Sequence, residues 1–121
     1  MIAIPQNIPA GAALSAGQLV TVDAGTWIVA TDSTSPVFVC TSNTASGAYP
    51  DIAGVGEYVE ILTDGNVTAE ALITATTGGV GTPLVPTGAA AAWTAGFVFA
   101  ADIGARVRML VLPQYHAADA A

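Results

Sequence analysis

Arg106 and Arg108 are the chain's two cationic residues. They stand two apart in "ARVRMLVL" (residues 105–112), after more than a hundred residues without Lys or Arg. On a strand this spacing puts both guanidinium groups on one face with Leu110 and Leu112, while Val107, Met109 and Val111 take the other. A guanidinium can meet a carboxylate bidentately. The chemistry on offer is therefore recognition of an acid, either inside the chain at Glu57 or Glu60, or on another subunit or a larger partner. A face that starts charged and ends apolar suits contact better than open solvent.

Other chemistry is sparse. Nucleophilic catalysis needs an activated Ser or Cys with a base in reach, and the sole histidine, His116, falls in "PQYHAADAA", a tail whose composition usually frays. There is no G-x-S-x-G elbow or H-E-x-x-H, and "TGGVGT" (Thr77 to Thr82) lacks the lysine that would meet phosphate charge. Glu57 and Glu60 have opposite strand parity and, with Asp64 and Glu70, read as solvated acids rather than an acid–base pair. "TDGN" (Thr63 to Asn66) is only a fragment of a calcium loop. Cys40 is alone, which leaves no intrachain disulfide or multi-cysteine metal site, and in "VFVC" it reads as a small core residue. No catalytic residue, cofactor or metal ligand set is expected, so the chain reads as a non-enzyme.

Composition narrows the partners. The chain has 121 residues, nine acidic and two basic, for a net charge of -7. Neutralising a phosphate backbone takes several cations, so nucleic acid is excluded as a partner. Its hydrophobic fraction of 53% suffices for one core. Much of that fraction is alanine, however, which removes little apolar area from water at roughly 25 cal/mol per Å², so help from other subunits or a large partner is favoured. "MIAIPQNIPAG" lacks the basic start and unbroken apolar run of a secretory signal, which predicts synthesis in a cytoplasm. The longest apolar stretch, Gly88 to Ala101, is shorter than the ~20 residues of a membrane span and is interrupted by Thr94 and Gly96, so no membrane is expected.

The elements that must position the arginines are strands. Short Val-, Ile-, Thr- and aromatic-rich runs bounded by Gly, Pro, Asp or Asn predict strands over 18–22, 26–30, 37–41, 58–62, 66–72, 82–86, 97–101 and 106–112. Turns are expected at "DAG" (23–25), "TDG" (63–65), "TGG" (77–79) and "PTG" (86–88). The one helical candidate is "AAAAW" (Ala89 to Trp93), limited by Gly88 and Gly96 to about two turns. The fold class is all-β, a compact β-sandwich or β-barrel-like domain with little or no helix. Residues 1–9 read as an extended arm, 10–113 as a single β domain and 114–121 as a flexible tail.

A weak internal repeat sets 8–62 beside 67–112 and places Glu60 where Arg108 stands. Either the two units share ancestry or Ala, Thr and Gly imitate a repeat. Ser42 to Gly56 is the longest stretch without a strand signal, and reads as a surface loop or as an arm that orders on a partner. Trp27 and Trp93 sit in apolar company, where burial is the ordinary fate of the ring, ahead of an interface or sugar stacking.

The succession "NIPAGAALSAGQLVTVDAGTWIVA", "GEYVEILTDGNVTAEALITA" and "FVFAADIGARVRMLVLP" resembles the small capsid cement, or head decoration, proteins of tailed phages. Residues 8–113 carry the likeness through "GQLV", "DAG", "GEYVEILTDG" and "ARVRMLVLP", while "ATTGGVGTPLV" (75–85) departs from the clean A-G-x-x-V of a second unit. The resemblance implies a β-rich protein on the outer surface of a virion head, assembled as a trimer or another small homo-oligomer and holding neighbouring major capsid proteins together. Expected contacts are Ile2, Ile4 and Pro5 in the arm, Tyr49, Pro50 and Asp51 in the loop, and Glu60, Arg106 and Arg108 on the strands. Weak contacts repeated over a lattice add up, and net charge keeps large particles dispersed. The alternatives are a phage tail, baseplate or fibre β-module and a carbohydrate-binding adhesive β-domain.

Overall fold

The computed structural model describes residues 4, 7–84 and 91–117. Its eight strands are β1 (Leu19–Asp23), β2 (Thr26–Val29), β3 (Phe38–Val39), β4 (Tyr58–Leu62), β5 (Ala71–Thr76), β6 (Val80–Pro83), β7 (Ala92–Val98) and β8 (Arg106–His116). They form a three-stranded sheet, β2-β1-β3, and a five-stranded sheet, β4-β8-β7-β5-β6, with all neighbours antiparallel. The fold is all-β, with no helix among the described residues. The larger sheet curls until Thr63, just past β4, bridges Gly81 of β6, but it does not close into a barrel.

Local chemistry explains the turns. Asp23 and Thr26 pair across Ala24 and Gly25, both with positive φ (49° and 81°), the two-residue hairpin geometry that matches strand twist. Gly104 and Ala105 (φ 62° and 57°) make a second such turn between Ile103 and Arg106.

Leu19 and Val39 face the core shared by both sheets, with Ile61, Ile73, Val98, Met109 and Val111. Their neighbours Val20 and Phe38 face a second cluster with Leu14, Trp27 and Cys40, onto which Ile4, Ile8 and Ile52 pack. The small sheet is thus buried on both faces, as its unbroken apolar runs require. Its outer cover is the segment 10–14 hydrogen-bonded to 44–48, Leu14 and Thr44 exchanging both backbone bonds at 2.8 Å. The stretch from Ser42 to Gly56 is therefore pinned: Thr44 and Ala53 are buried, and the Ala53 N–H donates to Val39 O.

Several expectations are corrected. Ala92 and Trp93 are strand, not helix, because they pair with His116 and Tyr115. This pairing extends β8 through His116, so three residues assigned to the tail belong to the sheet. The strand expected over 66–72 begins only at Ala71, since Glu70 adopts φ 61° and breaks the extended run. β6 starts at Val80, earlier than expected, and β3 has only two residues. The turn at 86–88 lies outside the described residues.

Thr94 pairs with Gln114 and Gly96 with Val111, so Leu112 and Pro113 together oppose the single residue Ala95. Two against one is a β-bulge, a position where the missing N–H of proline is tolerated. Beside it β7 comes close enough to β8 that a Cβ on Gly96 would run into the Leu110 carbonyl oxygen. Gly96→Ala is expected to cost at least about 2 kcal/mol, because backbone rather than a movable side chain must yield. Chemical denaturation of the variant checks this.

Asp64 ties the end of β4 to β6. Slight burial pushes its pKa up, but hydrogen bonds from the Thr82 hydroxyl (2.6 Å) and the Asn66 N–H (2.9 Å) outweigh this and hold it below its ordinary value. A depressed carboxylate adds stability that is complete above its unfolded pKa of about 4 and is lost as pH falls through the lower folded value. Thr82→Val should raise the Asp64 pKa in a carboxyl NMR titration, and its stability deficit should be larger at neutral pH than at a pH low enough to protonate Asp64 in both proteins.

Candidate functional site

β4 and β8 pair in a register that sets Glu60 opposite Arg108 and Leu62 opposite Arg106. The alternation along β8 is as the sequence predicts: Val107, Met109 and Val111 are buried, while Arg106, Arg108 and Leu112 are exposed. The Arg106 Nη1 donates to Glu60 Oε1 at 3.2 Å, diagonal to the register pair. Arg108 lies instead over the Tyr58 ring, its guanidinium carbon 5.6 Å from the centroid, a cation–π arrangement. Among the described residues it has no carboxylate within ion-pair distance. Glu57 takes neither arginine, because its Oε1 accepts the Gly54 N–H at 2.9 Å in the turn before β4.

Around these charges the outer face is apolar. Register partners place Leu72, Phe97, Leu110 and Tyr58 in one row across β5, β7, β8 and β4. Phe99 stacks edge-on against Phe97 at 5.0 Å and tilts toward Tyr58 at 6.4 Å. Beyond the row, Ile103 at the start of the 103–106 turn is 86% exposed. Together Tyr58, Glu60, Arg106, Arg108 and Ile103 line a cleft of about 380 Å³. Exposed apolar side chains gathered in this way mark interaction surfaces, whereas scattered ones do not.

No family model matches the chain, and no curated protein or solved structure matches it either.

The other expected contacts form a separate group. Ile4, Tyr49, Pro50 and Asp51 line a second cleft, of about 310 Å³, together with Ile8, Ile52 and the buried Trp27. The two clefts share no residue. Ile2 and Pro5 lie outside the described residues. His116, read from sequence as part of the tail, has its Nε2 2.9 Å from the hydroxyl of the fully buried Thr94, within the β7–β8 pairing. Trp27 is buried edge-on against Phe38, while Trp93 is half-buried beside the exposed Tyr115.

Sequence reasoning found the arginines and Glu60 but missed Tyr58, Phe97, Phe99 and Ile103. A signal was present: in "FVF" the two phenylalanines alternate with the core residue Val98 and so must face away from the core. The two partners of the Glu60–Arg106 pair are each more than half exposed, so solvent screens the attraction. Glu60→Gln is therefore expected to change folding stability by less than about 1 kcal/mol in denaturant titration.

Proposed function

We propose that the chain is a structural decoration protein, which binds the outer surface of a phage head and stabilises the shell of major capsid protein. The observation that carries this reading is the outer face of β4, β8 and β7: an aromatic and aliphatic surface that gathers both arginines of an otherwise acidic chain. Such a surface is suited to being covered by protein. The second apolar cleft, around Tyr49, supports the same reading, since a protein that bridges neighbours in a lattice needs more than one contact. The motif resemblance over residues 8–113 supports it independently, and its implications of a small homo-oligomer and of a virion location belong to this proposal.

A tail or baseplate module would use similar contacts and differs in copy number, hundreds for a head protein against tens at most for a tail part. The carbohydrate reading loses one of its two tryptophan platforms, because Trp27 is buried, and keeps Trp93, half-buried beside Tyr115.

The purified protein is expected to bind undecorated expanded heads and to raise their melting temperature, with Arg108→Ala weakening binding more than Asp23→Ala. Heads that neither bind it nor gain stability sink the proposal.

A further inference from the structure

The Tyr58–Arg108 face places two guanidinium groups and one carboxylate together on a chain whose net charge is -7. Arg106 is occupied by Glu60, while among the described residues Arg108 has only the Tyr58 ring. A partner suited to this face supplies a carboxylate beside an apolar ring. The ring can pack against Phe99 and Ile103, and the carboxylate can meet Arg108 bidentately.

The chain carries such a group itself. Among the described acids, Asp32 is engaged by Thr34, Glu57 by Gly54, Asp64 by Thr82 and Asn66, and Asp102 by Thr63 and Val67. Among the described residues the carboxylates of Asp23, Asp51 and Glu70 accept no hydrogen bond, although the backbone carbonyls of Asp23 and Asp51 accept from Thr26 and Thr41. Of these three, Asp51 lines one cleft with an exposed ring two residues earlier in the chain, Tyr49, which is 67% exposed. Pro50 between them restricts the backbone, so the pair is presented with little entropy left to lose. This corner rests on the cover of the small sheet and is pinned by the bond from Thr41 N to Asp51 O.

We propose that the Tyr49–Asp51 corner of one copy docks on the Tyr58–Arg108 face of a second copy, with Asp51 meeting Arg108. The two surfaces are different patches of the same chain, so the contact is head-to-tail. Repetition of a head-to-tail contact gives a closed ring where the rotation closes and an open chain where it does not. The proposal rests on the reading of this face as a contact surface, but not on what else the protein coats.

Sedimentation velocity and light scattering from about 1 μM to 1 mM, a span that covers weak to moderate association, test it on the full chain. The wild type should associate with rising concentration. Arg108→Glu and Asp51→Arg should each weaken association at least about tenfold, and the double variant carrying both changes should recover to within a few-fold of wild type. Tyr49→Ser, which leaves the charges in place, should weaken it as well. Circular dichroism establishes that each variant is folded. A wild type that stays monomeric throughout overturns the contact. Association that neither charge reversal weakens also overturns it, as does failure of the double variant to recover. Head binding by the same variants separates the two readings: self-association without head binding removes the decoration role and leaves this contact standing, and head binding by a strictly monomeric wild type does the reverse.

Discussion

The pairing of β8 between β4 and β7 is the constraint from which the rest of the molecule follows. A strand has a side-chain period of two, so a slip of one residue in this register would turn Val107, Met109 and Val111 to solvent and drive Arg106 and Arg108 into the core. Burying an unpaired guanidinium costs several kcal/mol, more than any single apolar contact in this alanine-rich core returns. The bulge at Leu112 and Pro113 and the close approach at Gly96 both fix this register on the β7 side. The same alternation that builds the core therefore builds the contact face, and neither can be moved without the other.

How far the fold was legible depends on whether local preference and tertiary pairing agree. In β4 they do: "YVEIL" is bounded by a glycine turn and an Asp-Gly turn, and the strand has the expected ends. In "AAAAW" they conflict, since alanine favours helix while the open edge of Tyr115 and His116 offers hydrogen bonds that only a strand can take. At Glu70 the obstacle is a left-handed backbone on a residue with no preference for it, which composition does not announce. The site divides in the same way. Its charges were legible because cations are so rare here, whereas its aromatic part was obscured because "FVFAA" reads as a wholly buried strand, although the chain turns away after Val98 and leaves Phe99 outside.

The distribution of charge has a physical consequence for assembly. Acids spread over the surface keep copies apart at long range, while solutions near physiological salt screen that repulsion beyond about 8 Å. What survives at contact distance is local, and the local sign is reversed only where Arg106 and Arg108 stand. A specific approach is then favoured over random collision, since a like-charged patch elsewhere offers no compensating pair.

The strand order of the two halves of the chain bears on how they come to share a core. The order β2-β1-β3 in the first half matches β6-β5-β7 in the second, each a hairpin whose first strand is flanked by a third. The halves differ in the strand that follows. β7 is seven residues long and holds β8 along its edge, whereas the corresponding edge of the two-residue β3 is taken by residues 51–53 through the Cys40–Ile52 bridge. β4 crosses instead to β8, the strand that occupies the equivalent place in the second half. In the antiparallel pairing of β4 with β8 the central residues, Glu60 and Arg108, stand opposite each other. Like charges at that point would repel directly across the ladder. With opposite charges there is no such repulsion, and the core of the first half is continuous with that of the second through Ile61, packed in one cluster with Leu19, Val39, Ile73 and Met109.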